Sequence, residues 1–96
     1  MLTKEKILET IRDNKTGFNN LGVIRIGLFG SYAKDKAQPG SDVDILVELS
    51  QPDWDVLCII WDTLEKQLQT KVDLVRKGSH LRETFLRSVE KEVIYA

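Results

Sequence analysis

The stretch Gly27 to Glu48, GLFGSYAKDKAQPGSDVDILVE, constrains this chain more than any other. Gly30-Ser31 leaves one apolar run, and after ten residues Asp42-Val43-Asp44 opens a second. The first run, Val23-Ile24-Arg25-Ile26-Gly27-Leu28-Phe29, is rich in β-branched and large apolar residues, as expected of a central strand buried on most of both faces. The second, Asp42 to Leu49, alternates: Val43, Ile45, Val47 and Leu49 point one way, while Asp42, Asp44, Leu46 and Glu48 point the other. Two carboxylates therefore share one face of one strand, close to its beginning. A glycine turn leaving a strand, with paired carboxylates opening another, is a way to hold a triphosphate and its metal ions.

The flanking segments supply support. From Thr3 to about Asn14, Ile7, Leu8 and Ile11 recur at helical spacing, with Thr3 placed to cap the helix. Lys15 to Gly22 carries two glycines and Asn19-Asn20, which mark a connection. Ser31 to about Lys36 suits a short helix, ended by the turn residues Pro39-Gly40-Ser41. After Ser50-Gln51-Pro52, Asp53 or Asp55 can cap a helix whose apolar stripe is Leu57, Ile60, Trp61, Leu64 and Leu68. Lys71 to Val75 is a third strand, with Val72 and Leu74 facing the core and Asp73 on the opposite face. Gly78-Ser79 opens a last helix with the stripe Leu81, Phe85, Leu86 and Val89, and Val93-Ile94-Tyr95 forms a short extended end.

Composition narrows the partners. Ninety-six residues fit one domain, residues 1–96, around one core. Lys and Arg number 14 against 15 Asp and Glu, so no basic field exists to grip nucleic acid through its phosphates, and no direct nucleic-acid binding is expected. The single cysteine, Cys58, has no partner for an internal disulfide, which fits a reducing compartment. No apolar run reaches bilayer-spanning length, and MLTKEKILET lacks a signal-peptide core. The expectation is a soluble cytoplasmic protein with no membrane association.

Nucleotidyl transfer from a nucleoside triphosphate needs its phosphates neutralised, the attacking oxygen deprotonated and pyrophosphate stabilised as it leaves. Two Mg²⁺ ions roughly 4 Å apart, held by carboxylates, do all three in an in-line displacement. Asp42 and Asp44 have the spacing to share the metals, and Asp73 would complete the set if the third strand lies beside the second, binding the metal next to the attacking hydroxyl and orienting or deprotonating that hydroxyl. Gly30 allows close backbone approach, and Ser31 offers a hydroxyl and an N–H to the terminal phosphates.

The pattern G-S-x10-D-x-D, followed by an apolar-flanked aspartate in Val72-Asp73-Leu74-Val75, resembles the minimal nucleotidyltransferases of the DNA polymerase β superfamily. The resemblance runs from the N-terminal helix to the final Val93-Ile94-Tyr95-Ala96. It implies a mixed α/β fold with a small central mixed sheet flanked by helices, and Mg²⁺-dependent use of ATP. It further implies pairing with a HEPN-domain toxin, a ribonuclease that such an antitoxin adenylylates on a tyrosine. Carried over by position, Gly30 and Ser31 bind triphosphate, Asp42 and Asp44 bind metal, and Asp73 is the third carboxylate. Members commonly carry arginine and glycine where this chain has Lys34 and Asp35. Lys34 keeps the charge of a phosphate contact without the bidentate fork, and Asp35 would add negative charge near the phosphates.

The expected function is thus transfer of AMP from ATP to a hydroxyl of a partner protein, the HEPN toxin, within a hetero-oligomer. A chain this short must leave acceptor selection largely to the partner's surface. Two other functions use the same features: a non-catalytic antitoxin that occludes its toxin, and nucleotidyl transfer to a small molecule, which usually takes an additional acceptor domain. Outside the motif, His80 reads as a polar residue near a helix start, Trp61 as core, Trp54 as a helix-start residue open to solvent, and Cys58 as a buried small apolar residue.

Overall fold

The computed structural model describes residues 2–96. Its elements in order are α1 (Lys4–Asp13), α2 (Lys15–Asn20), β1 (Val23–Phe29), α3 (Gly30–Ala33), β2 (Val43–Leu49), α4 (Trp54–Leu68), β3 (Val72–Arg76), α5 (Glu83–Glu92) and β4 (Ile94–Tyr95). The four strands form one sheet in the order β3-β2-β1-β4. β2 runs antiparallel to β1 and parallel to β3, and β4 runs antiparallel to β1. This is the mixed α/β architecture, with a mixed sheet, that the sequence leads one to expect.

The alternation along β2 divides the sheet into two faces. Val43, Ile45 and Val47 are buried in the main core with Ile26 and Leu28 of β1, Ile7 and Ile11 of α1, and Ile60 and Leu64 of α4. On the other face Leu46 meets Phe29 and Val89 of α5 in a smaller cluster. Phe18 of α2 and Tyr32 of α3 join the main core as well, while on the other face α5 is the helix that supplies the smaller cluster. α1 is capped as its sequence suggests, the Thr3 hydroxyl accepting from the Lys6 N–H at 3.2 Å. α4 is capped by Asp53, whose carboxylate accepts from the N–H groups of Asp55 and Val56.

Several expectations are corrected. Lys15 to Gly22 is not merely a connection: Lys15–Asn20 is helical and Phe18 is buried in the core. One anchored aromatic outweighs the breaker signals of Gly17 and Asn19-Asn20. β1 is covered on both faces only from Ile26 onward, because a bulge between Val23 and Arg25 leaves Ile24 exposed. In α4 the buried line is Val56, Ile60, Leu64 and Leu68, with Leu57 and Trp61 packed against its flank. Cys58 is exposed, not buried, since two positions from Ile60 is about 200° around a helix and places it on the outer side. α5 starts at Glu83, after a turn in which the Leu81 N–H donates to the Gly78 carbonyl, and of its expected stripe only Val89 is buried. Phe85 stays exposed although its ring meets Phe29 edge-on at 6.4 Å between centroids. No helix among the described residues is long and apolar enough to cross a membrane.

Two close contacts fix the strands that matter for function. Gly27 in β1 lies under β4, and a Cβ built there would stand 2.8 Å from the Ile94 carbonyl oxygen and 2.7 Å from a Val93 methyl, so only glycine lets β4 approach. At the opposite edge, both backbone groups of Val72 are taken by α4 side chains. The Trp61 indole N–H donates to the Val72 carbonyl at 2.7 Å, and the Glu65 carboxylate accepts from the Val72 N–H at 2.9 Å. Trp61→Phe removes that donor while keeping most of the ring, and is expected to cost about 1 kcal/mol. For a domain of this size that corresponds to a fall in melting temperature of about 4–8 °C, measured by thermal denaturation.

Candidate active site

The site forms where β1 ends against the start of β2. Phe29 stands opposite Asp44 in the antiparallel pairing, so the chain leaving β1 crosses beside the Asp44 side chain. Gly30, the next residue, has φ +77°, and a Cβ placed on it would lie 2.1 Å from Asp44 Oδ2. Only glycine satisfies both the left-handed backbone and that approach. On its other side Asp44 is the register partner of Asp73 in the parallel pairing with β3. Asp42 lies just before β2, two residues from Asp44. The three aspartates singled out in the sequence are therefore brought to one end of the sheet.

Electrostatics records this crowding. Asp42 and Asp73 are exposed and Asp44 is half-buried. Burial pushes the Asp44 carboxyl above its ordinary value, and the negative charges of Asp73, Asp42 and Glu92 push it further the same way. As the side chains stand, no three carboxylate, imidazole or thiol groups among the described residues converge closely enough to grip one ion. Mg²⁺ commonly binds through one or two carboxylates and completes its octahedron with water and substrate phosphate. An all-oxygen donor set, with one carboxylate held against its neighbours' charge, fits such a hard divalent cation.

The segment after Gly30 is one short turn of helix, Gly30–Ala33, not a helix to Lys36. Tyr32 is buried in the core and ties the turn down, leaving Ser31 partly buried in it and Lys34 exposed just beyond. Asp35 adopts φ +57°, a left-handed conformation in which glycine is the usual residue and aspartate is tolerated. Its carboxylate pairs with Lys4 of α1 at 2.9 Å, so an ammonium offsets the negative charge it brings beside the turn.

One residue at the site is not marked in the sequence. Glu92, the last residue of α5, accepts from the Gly30 N–H through Oε1 at 3.2 Å and pairs with Lys34 Nζ through Oε2 at 2.8 Å. The Lys34 ammonium, helped by the Gly30 N–H, holds the Glu92 carboxyl below its ordinary range despite opposing desolvation. Locally Glu92 is one more charged residue on an amphipathic helix. Its role arises only because α5 and β4 return to β1.

Asp42 and Asp73 lie on open surface. The depressions of about 240 and 490 Å³ that share Leu2 and Tyr32 contain none of them. His80 is exposed beside Arg76, whose guanidinium lies 3.1 Å from its Nδ1, and Trp54 is exposed at the start of α4. Neither belongs to the site.

Comparison with known proteins identifies relatives along nearly the whole chain. A protein adenylyltransferase of Thermococcus cleftensis, MntA, is 38% identical over 99% of this chain and 97% of its own length. A toxin–antitoxin crystal structure containing AMP-PNP superposes with a TM-score of 0.70 at 27% identity, covering 98% of this chain and 72% of the matched one. The tri-AMPylated HEPN toxin of Shewanella oneidensis in complex with its MNT antitoxin gives a TM-score of 0.60 at 26% identity, covering 96% of this chain and 66% of the matched one. The family model of the nucleotidyltransferase domain matches residues 4–95, and this chain belongs to that family of enzymes, with the relatives and the fold of a minimal nucleotidyltransferase.

Proposed function

We propose that this chain is a Mg²⁺-dependent protein adenylyltransferase, moving AMP from ATP to a hydroxyl of a HEPN-domain toxin and acting as the antitoxin of that pair. The observation that carries the reading is the placement of Asp42, Asp44 and Asp73 at one end of the sheet, against a turn where Gly30 has room for no side chain. Support for the partner comes from the similarity to chains of solved HEPN–MNT complexes, and support for the nucleotide from the AMP-PNP complex of a relative.

In this reading the Gly30 N–H, Ser31 and the Lys34 ammonium receive the triphosphate, two hydrogen-bond donors and one cation offered from a single turn. Asp42 and Asp44 would hold the metal. Bound Mg²⁺, in two ions, supplies neutralisation of the phosphates and of the departing pyrophosphate. Asp73, on the strand beside Asp44, holds the acceptor hydroxyl and takes its proton as the hydroxyl oxygen bonds to the α-phosphorus. The bond from the α-phosphorus to the bridging oxygen breaks and pyrophosphate leaves. Because Asp42 and Asp73 are exposed, the acceptor is presented by the partner's surface, which also excludes water.

Intact-mass spectrometry of the HEPN protein encoded beside this chain, after incubation with the chain, ATP and Mg²⁺, is expected to show a gain in whole AMP units. Asp42→Ala/Asp44→Ala is expected to reduce the rate at least about a hundredfold, since loss of metal-orienting groups alone costs ten- to a hundredfold. No gain, with toxin still neutralised by the double variant, would establish occlusion in place of transfer. Asp73→Asn is expected to retain metal-dependent ATP binding, measured by calorimetry, while losing most transfer. Unchanged turnover would remove Asp73 from the reaction.

Asp44 also predicts a pH effect on the metal-free protein. Its ordinary value is 3.8 and folding raises it, so the unfolded chain releases this proton first as pH rises. The Asp44 penalty is absent at pH values below 3.8, sets in as pH rises toward the raised value and is constant above it. Without Mg²⁺, Asp44→Asn is therefore expected to melt above the wild type at pH 7 and to flatten the decline through the carboxylate range. Added Mg²⁺ should raise the melting temperature of the wild type more than that of Asp44→Asn. Identical melting curves with and without Mg²⁺ in both proteins would count against Asp44 as a ligand.

A further inference from the structure

Glu92 stands on the groups that a triphosphate needs. Its two carboxylate oxygens are divided between the Gly30 N–H at 3.2 Å and Lys34 Nζ at 2.8 Å, a main-chain donor and a cation presented by the same turn. Among the described residues this is the one ion pair of Lys34. The side chain of Lys34 is about half exposed and that of Glu92 about one-fifth, so the pair sits at the surface and an incoming anion can reach it. The backbone beneath Glu92 is fixed. The Val93 N–H donates to the Val89 carbonyl at 2.9 Å, and the next two residues, in β4, pair with Gly27 and Leu28 of β1. Glu92 can therefore leave by side-chain rotation alone, with α5 and β4 in place.

We propose that Glu92 is an internal competitor for the triphosphate, occupying the Gly30 N–H and Lys34 in the nucleotide-free enzyme and displaced when a nucleoside triphosphate binds. The inference rests on the reading of the Gly30 turn as the triphosphate site and adds a residue that tunes it. A carboxylate and a phosphate compete for the same donors by the same charge-assisted bonds, and one N–H with one ammonium cannot fully serve both. Displacement also carries Glu92 out of a neighbourhood that already holds Asp42, Asp44 and Asp73, so an arriving polyanion and Glu92 repel each other. A ligand must bring enough negative charge, and the cations that accompany it, to win the exchange. The site is thereby biased toward metal-bound triphosphates over mono- and diphosphates.

The test is calorimetric titration of the full chain with AMP-PNP and Mg²⁺, in the wild type, Glu92→Gln, Glu92→Asp, Lys34→Ala and Lys34→Ala/Glu92→Gln. Glu92→Gln removes the charge with little change in shape and is expected to tighten binding about three- to tenfold, the worth of one surface charge-assisted contact. Glu92→Asp keeps the charge but shortens the reach, and is expected to tighten binding as well, so that the proposal does not depend on one variant. In the Lys34→Ala background the gain from Glu92→Gln should shrink, because the contested cation is gone. The Gly30 amide resonance in a ¹⁵N-correlated NMR spectrum should move on Glu92→Gln and move again on adding AMP-PNP with Mg²⁺. Equal or weaker binding by both Glu92 variants overturns the proposal while leaving the nucleotide site intact. An undiminished gain in the Lys34→Ala background also overturns it, replacing competition with long-range repulsion. Failure of the folded wild type to bind AMP-PNP at all removes the site reading itself, and the proposal with it.

Discussion

The arrangement depends on one close approach, that of the backbone at Gly30 to the side chain of Asp44. Antiparallel pairing of β1 with β2 sets Phe29 opposite Asp44, and the next residue must turn away within a space that holds no Cβ. From that contact the rest of the site follows. The turn becomes α3, anchored in the core by Tyr32, with Lys34 just beyond it paired to Glu92. The parallel pairing of β3 then adds Asp73 in register. A substitution at Gly30 would disturb the Asp44 carboxylate, the turn that follows β1 and the strand pairing together, which makes this glycine a geometric rather than a flexible element.

The second constraint is charge. Around the clustered aspartates positive charge is in deficit, and Asp44 shows it in a carboxyl raised by its burial and its acidic neighbours. On the donor side of the same turn the balance is reversed, with an N–H and an ammonium awaiting an anion, and Glu92 supplies one from within the chain. The empty enzyme is thus partly neutralised by its own side chains. If the proposed nucleotide site is right, stability and nucleotide binding draw on the same contacts.

Local signals carried much of this into the sequence. Alternation along Asp42–Leu49 placed Asp44 and Leu46 on the face opposite Val43, Ile45 and Val47, and the structure has that division. Asp73 was legible because Val72 and Leu74 flank it, although only the observed parallel register shows that it stands beside Asp44. What sequence could not convey was through-space. Glu92 lies 62 positions from the Gly30 N–H it binds, and nothing about its helix neighbours distinguishes it. Asp35 appeared from its position to threaten the phosphates, yet a left-handed backbone and Lys4 of α1 take its carboxylate elsewhere. Helix phase was the other weak point. Ile60, Leu64 and Leu68 of the expected α4 stripe are buried, but Val56 joins them in place of Leu57 and Trp61, and Cys58 faces outward.

The clasp of α4 on Val72 also has a bearing on how this small sheet meets other chains. β3 is an edge strand, and the outward backbone groups of an edge are the usual template for a foreign strand to add itself. Here the carbonyl and N–H of Val72 are already spoken for by Trp61 and Glu65, beside the residue that carries the third carboxylate. Ribbon addition at that point would have to strip two side chains from the edge and would loosen Asp73 as it did so. The sheet is closed to extension where its chemistry is, and association next to the site is left to side-chain surfaces.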